Sequence, residues 1–199
     1  MQRVIRRNSR IPNLGGKRAL VLHRPHANVA ALLRQLTAIG LDAEAVWPRL
    51  PEDVGKADFL FFDVDMACDE QFPWQPGEAP MPLVALIGSE APGRIEWAMS
   101  HRADAHLVKP IGSAGIYSTL LIALQKFEER QALIAEIAAL RAQVAERRVI
   151  VQAVLQLMEL GMNEDEAFSR LRSIAMHRRV TLELAARSIV EDRPRRQIG

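Results

Sequence analysis

The side chains able to do chemistry fall into two groups. The first contains Asp63, Asp65, Lys109 and the pair His23 and His26; the second contains Arg170, His177, Arg178 and Arg179. Carboxylates can hold a hard cation or accept a proton, and an ammonium can pair with them or with a phosphoryl oxygen. Asp63 and Asp65 alone do not make a Mg²⁺ cage, so direct pairing of Lys109 with Asp63 is the competing arrangement. His23 and His26 are three apart, but Pro25 separates them and neither Cys nor a third His lies nearby. A structural zinc site is therefore not expected, and both are read as surface loop residues. No nucleophile–base pair and no metal-ligand cluster emerges, so no enzyme and no cofactor is expected. Guanidinium groups, by contrast, can hold phosphates and stack on unpaired bases, or simply offset a helix dipole near its C-terminus.

Alternating strand and helix signals position the first group. Ala19-Leu-Val-Leu22, Ala43-Glu-Ala-Val-Trp47, Asp58-Phe-Leu-Phe-Phe62, Leu83-Val-Ala-Leu-Ile87 and Ala105-His-Leu-Val108 read as five short strands. The third is apolar on both faces, as a central parallel strand should be. Helical spacing over 29–39 stops at Gly40, and further helices are expected over 95–101 and from 113 onward. This pattern predicts a flavodoxin-like doubly wound parallel sheet, whose working site lies at the carboxyl ends of the strands. Asp63 follows the third strand and Lys109 the fifth. The proline-rich loop over 72–82 and Trp47-Pro48 carry apolar groups that either cover a core edge or form a docking surface.

A long helix is expected next, over 117–160, about 65 Å at 1.5 Å per residue. Arg130, Leu133, Ile137, Leu140, Val144, Arg147, Val151, Val154 and Met158 alternate steps of three and four, the period of a left-handed coiled coil. A second copy of the chain is the expected partner for Leu133, Ile137, Leu140, Val144 and Val151, a stem folded back on its own domain being the alternative. Arg130 and Arg147 interrupt the seam. Gly161 ends this helix, and Asn163 with Glu166 reads as a capping box opening a second helix with Ala167, Phe168, Leu171, Ile174 and Ala175 inward. Thr181 opens a third, with Leu182, Ala185, Ala186, Ile189 and Val190 inward, and Pro194 forbids its continuation.

Composition agrees with this organisation. The chain has 199 residues, 49% hydrophobic, which excludes a wholly disordered protein. No apolar run reaches the ~18 residues of a membrane span, no secretory signal is legible, and the single Cys68 suits a reducing cytoplasm. Residues 1–17 hold five basic and no acidic side chains; residues 18–125 hold eight basic and thirteen acidic. Residues 126–199 hold thirteen basic and eleven acidic. Basic ends on an acidic body fit either a polyanion partner or merely solvated tails. The expected divisions are a flexible basic tail over 1–17, an α/β domain over 18–125, a stem over 126–146, a small all-α three-helix unit over 147–192 and a tail over 193–199.

Two resemblances add to this reading. Asp63 and Lys109-Pro110, in the five-stranded context, resemble the receiver domain of response regulators. The resemblance implies that Asp63 sits at the phosphoacceptor position, with an acidic pair expected after the first strand and a hydroxyl after the fourth. Here His23-Arg24-Pro25-His26 replaces the acidic pair, and the hydroxyl position falls on Ile87, with Ser89 two residues on. The unit is therefore read as a pseudo-receiver with a non-functional Asp63 and Lys109. Arg148-Val-Ile150, Ala153, Leu157-Met158, Gly161, Glu166-Ala-Phe168, Leu171-Arg172, Ala175-Met176 and Ala185 resemble an ANTAR domain, an RNA-binding antiterminator module. The whole order resembles regulators of the aliphatic amidase type. The resemblance implies a cytoplasmic homodimer that binds paired hairpin loops of a leader RNA through Arg148, Arg170, Arg172, His177, Arg178 and Arg179. It also implies control by a small-molecule-sensing partner of periplasmic-binding-protein fold. One departure is Val154, where that family carries a lysine, followed by Leu155 in place of a frequent glycine. A phosphorylation-dependent DNA-binding response regulator and a dimerising adaptor without nucleic-acid binding are the alternatives.

Overall fold

The computed structural model describes residues 12–192, arranged as two units divided between Gln131 and Ala132. The expected tail residues 1–11 and 193–199 lie outside the described residues. In chain order the elements are β1 (Arg18–Leu22), α1 (Ala27–Ile39), β2 (Asp42–Val46), β3 (Phe59–Asp63), β4 (Leu83–Ile87), α2 (Pro92–Ser100) and β5 (Ala105–Val108). Then come α3 (Ile116–Glu159), α4 (Glu164–Arg178) and α5 (Leu182–Glu191). The strands form one parallel sheet in the order β2-β1-β3-β4-β5, the flavodoxin-like arrangement.

Burial explains the strand sequences. Every residue of β3 and β4 is buried, because both faces of these central strands are covered, whereas the edge strands β2 and β5 alternate with exposed positions. One face packs Val21, Phe59, Phe61, Val84 and Leu86 against α1 and the start of α3 through Leu32, Leu36, Ile116 and Leu120. Leu14 joins this core and Lys17 Nζ meets Asp58 Oδ1 at 2.8 Å, so the chain from Leu14 onward is anchored although the sequence placed it in a flexible tail.

On the other face the connections are irregular, in keeping with helices read only over 29–39, 95–101 and from 113 onward. Between β2 and β3, and between β3 and β4, only single 3₁₀ turns form, at Val54–Lys56 and Asp69–Gln71. Pro73, Pro76, Pro80 and Pro82 each lack the N–H that a helix needs, so an irregular segment covers this face instead. Its buried Phe72, Ala79 and Met81 pack with Phe62, Ile87 and Ala98. The rings of Phe62 and Phe72 meet edge to face at 5.7 Å. Trp97 Nε1 (2.5 Å) and His101 Nε2 (2.9 Å) of the α2 region both bond Asp69 Oδ1, pinning the segment. The proline-rich loop is thus a core cover, one of its two sequence readings.

Gly40 closes α1 in the left-handed region at φ 101°, and α3 ends before Gly161 at φ 97°. Arg130, read from the sequence as a flaw in the seam, is instead spent inside the first unit. Its guanidinium grips Asp104, whose side chain is 1% exposed and which also accepts from the Leu83 N–H at 3.0 Å. Arg130→Ala strands that carboxylate and is expected to cost about 3 kcal/mol in urea unfolding of the full chain. Adding Asp104→Asn, which keeps an acceptor for Leu83, is expected to return part of the loss.

In the second unit the capping box forms as expected: Glu166 N–H donates to Asn163 Oδ1, and Asn163 N–H to Glu166 Oε2, both at 2.9 Å. Leu184 N–H donates to Thr181 Oγ1 at the start of α5. The core consists of Ala153, Leu157, Ala167, Leu171, Ala175, Ala185 and Ala186. Its alanines let three helices approach closely but bury little area each, so Val149, Ile150, Val154, Ile174, Leu182, Ile189 and Val190 complete it from the flanks. Val154 therefore serves this core rather than continuing an open seam.

Candidate functional site

The sheet order reverses between β1 and β3, and residues leaving the carboxyl ends of these strands meet there. His23 follows β1, Asp63 ends β3, and Lys109 directly follows β5, joined to Pro110 by a cis bond. Lys109 Nζ lies 2.6 Å from Asp63 Oδ1, 2.9 Å from Asp65 Oδ2 and 3.0 Å from His23 Nε2. An ammonium has three N–H donors, and the Asp63 and Asp65 carboxylates accept two of them. His23 Nδ1 lies 2.7 Å from the Arg24 carbonyl, which can only accept, so Nδ1 carries the hydrogen. His23 Nε2 also lies 3.1 Å from Asp63 Oδ2.

Asp63 is 5% exposed and His23 4%. His23 is thus a buried member of this cluster, which corrects its reading as a surface loop residue; His26 is exposed, and its Nδ1 caps α1 by accepting from Asn28 N–H. Metal chemistry does not fit these residues: an imidazole faces the carboxylate where a first-strand acidic pair is needed, and Lys109 bridges Asp63 and Asp65. Among the described residues, no group of three or more His, Cys, Asp or Glu side chains could hold a metal ion.

The sequence reading missed how much Asp65 does. Its Oδ1 accepts from Ser89 N–H at 3.0 Å and from Arg94 Nη1 at 2.9 Å, while its own N–H donates to Asp63 Oδ1. Burial works against its charge, but Lys109, the Ser89 amide and Arg94 outweigh it and hold its carboxyl below the usual range. A Cβ at Gly88 would lie 2.2 Å from Asp65 Oδ2, so a glycine directly after β4 makes room for this carboxylate. Ile87 is buried in the core, and Ser89 contributes through its backbone amide.

The second group occupies α4 and its end. Arg170, Arg172, His177, Arg178 and Arg179 are exposed, as is Arg148 on α3. Arg172 lies over the Phe168 ring, 4.9 Å from its centroid, and lines a shallow groove with Ser169, Ser173, Met176 and His177. Arg170 is two positions from Arg172 and so faces another flank. Arg178 Nη1 donates to Ser188 Oγ at 3.0 Å, tying α4 to α5. Arg179 ends α4 at φ 52°, a left-handed conformation that a non-glycine side chain disfavours. The structure therefore brings Arg172 and His177 to one groove, gives Arg178 a packing partner, and joins Arg148 to neither.

A doubly wound sheet with its carboxyl-edge aspartate held by lysine, followed by a long helix and an alanine-rich helical bundle, defines a receiver-like regulator with an appended all-α module. Residues 17–124 match the family AmiR, N-terminal, and residues 138–190 match the ANTAR domain. The chain belongs to the AmiR N-terminal family and carries an ANTAR domain. It is 31% identical over 112 residues to the transcriptional regulatory protein PdtaR of Mycobacterium tuberculosis, a match covering 55% of this chain and 54% of that protein. The match thus spans about half the length of these curated relatives.

Among solved structures, the Rec1 domain of ShkA with c-di-GMP is 23% identical at a TM-score of 0.44, over 55% of this chain and 93% of that one. A CheY-like receiver domain protein from Methanospirillum hungatei is 17% identical at a TM-score of 0.45, over 58% of this chain and 99% of that one. Among the described residues no helix is long and apolar enough to cross a membrane.

Proposed function

We propose that this ANTAR regulator is a transcription antiterminator that binds structured leader RNA, as paired hairpin loops, in the form of a homodimer. The observation that carries this reading is the exposed, cation-bearing surface of α4 in a unit matching the ANTAR domain. Guanidinium groups on a small helical surface suit RNA loops, whose bases are splayed outward, better than a duplex groove. The stem supports the dimer: every residue over 131–148 is exposed in the single chain, including Leu133 (58%), Ile137 (47%), Leu140 (54%) and Val144 (66%). Two RNA-binding surfaces on one dimer raise affinity through effective concentration.

Control comes from a sensor partner acting on the pseudo-receiver, a small-molecule-binding protein of periplasmic-binding-protein fold, and not from phosphorylation of Asp63. The buried ion pairing of Asp63 with Lys109 supports this. Acetyl phosphate with Mg²⁺ is expected to leave the protein's intact mass unchanged; a phosphoryl adduct on Asp63 would restore the response-regulator alternative.

The test of RNA recognition is a gel shift of the full chain against the 5′ leader RNA of its own operon, beside duplex DNA of the same sequence. RNA-selective binding is expected, weakened about tenfold or more by Arg170→Ala/Arg172→Ala, a loss of about 1.4 kcal/mol per tenfold. Binding confined to the duplex would favour a DNA-binding regulator, and binding to neither would favour an adaptor. Arg178→Ala is a poor probe, since it also removes the bond to Ser188.

A further inference from the structure

We infer that the α4 groove lined by Ser169, Arg172, Ser173, Met176 and His177 is a pocket for a single unstacked purine base. The inference rests on the RNA reading above and names the part of the RNA that this surface takes. The five residues recur at intervals of three and four, so they share one stripe of the helix.

Four features point to a base rather than a backbone phosphate. Arg172 is held over Phe168 at 4.9 Å, so its planar cation is pre-oriented and less rotamer freedom is lost when a second flat group stacks on it. A phosphate site gains most from several converging cations, but Arg170 faces another flank and Arg178 is engaged with Ser188. Met176 is 79% exposed, and a polarisable thioether of this kind makes favourable contact with an aromatic edge or face. The Ser169 and Ser173 hydroxyls and the His177 imidazole both donate and accept, as the edge of a base requires. A purine offers the larger stacking face. Stacking on a flat cation is open to the π-face of any base, so selectivity falls to the hydroxyls and imidazole.

The test uses the full chain and the leader RNA hairpin, with each loop purine replaced in turn by 2-aminopurine and, separately, by an abasic site. One loop position is expected to change fluorescence on binding, and an abasic site there to weaken binding about tenfold. Arg172→Lys keeps the charge but loses the planar stack. It is expected to remove both the fluorescence change and the penalty of the abasic site, while circular dichroism reports an unchanged fold. Tight binding by wild type that no abasic position and no Arg172→Lys change affects would overturn the pocket and leave the RNA reading standing. Failure of the wild type to bind the hairpin at all would overturn the RNA reading and the pocket with it.

Discussion

Lys109→Met is expected to destabilise the receiver-like unit by about 5 kcal/mol, the upper end of what breaking a buried ion pair costs. Methionine keeps most of the length and none of the charge. The loss is large because one ammonium serves both Asp63 and Asp65, with Asp63 almost wholly buried. Asp65 retains Arg94 and the Ser89 amide, so the uncompensated charge falls mainly on Asp63. Asp63→Asn in the same background should therefore return much of the stability, although neither substitution alone is benign. The pH dependence follows from Asp65. Its folded carboxyl titrates below the unfolded value, so its contribution is present above about pH 3.9 and is lost as pH falls through the folded value. Lys109→Met removes a principal cause of that depression and should flatten the acid limb. Urea unfolding between pH 3 and 7 measures both effects. A loss below about 1 kcal/mol at pH 7 would mean that the cluster is hydrated and open, and the case against Asp63 as a phosphoacceptor would weaken with it.

How much of this was legible in the sequence depends on the range of the signal. The five strands, the Gly40 and Gly161 stops and the Asn163–Glu166 box were readable because each is set within a few residues by period, left-handed backbone or capping chemistry. The pairing of Lys109 with Asp63 was readable as an alternative because both residues follow strands of one sheet. What escaped is long-range. Nothing within the chain near Arg130 announces that Asp104, 26 residues earlier, is buried and needs a cation. The two short 3₁₀ turns escaped, although the prolines over 73–82 did mark that segment as a loop. His23 was misplaced because a histidine flanked by arginine and proline reads as loop, while its environment is set by Asp63 and Lys109 from other strands. The arginines of α4 could be counted but not sorted: only the fold separates Arg172, stacked on Phe168, from Arg178, bonded to Ser188.

Leu140→Lys is expected to convert the proposed dimer into monomers at micromolar concentration. Leu140 sits in the middle of the stripe formed by Leu133, Ile137 and Val144, and in the single chain it is 54% exposed. Pairing two copies would bury two Leu140 side chains, each contributing about 2 kcal/mol of apolar transfer. Losing about 4 kcal/mol weakens association roughly a thousandfold, before the cost of placing two ammonium groups at facing positions is counted. Ala142→Lys adds the same charge on the opposite side of the helix and should leave the dimer intact, which separates seam disruption from a charge effect. Sedimentation equilibrium reads the assembly directly. If both hairpin loops are held at once, the monomeric variant should also lose RNA affinity by far more than the twofold that halving the number of sites would give, because the second contact no longer benefits from effective concentration. A monomeric wild type, or a dimeric Leu140→Lys, would remove the stem from the interface. A monomer that binds RNA as tightly as the parent would keep the dimer but remove its purpose in recognition.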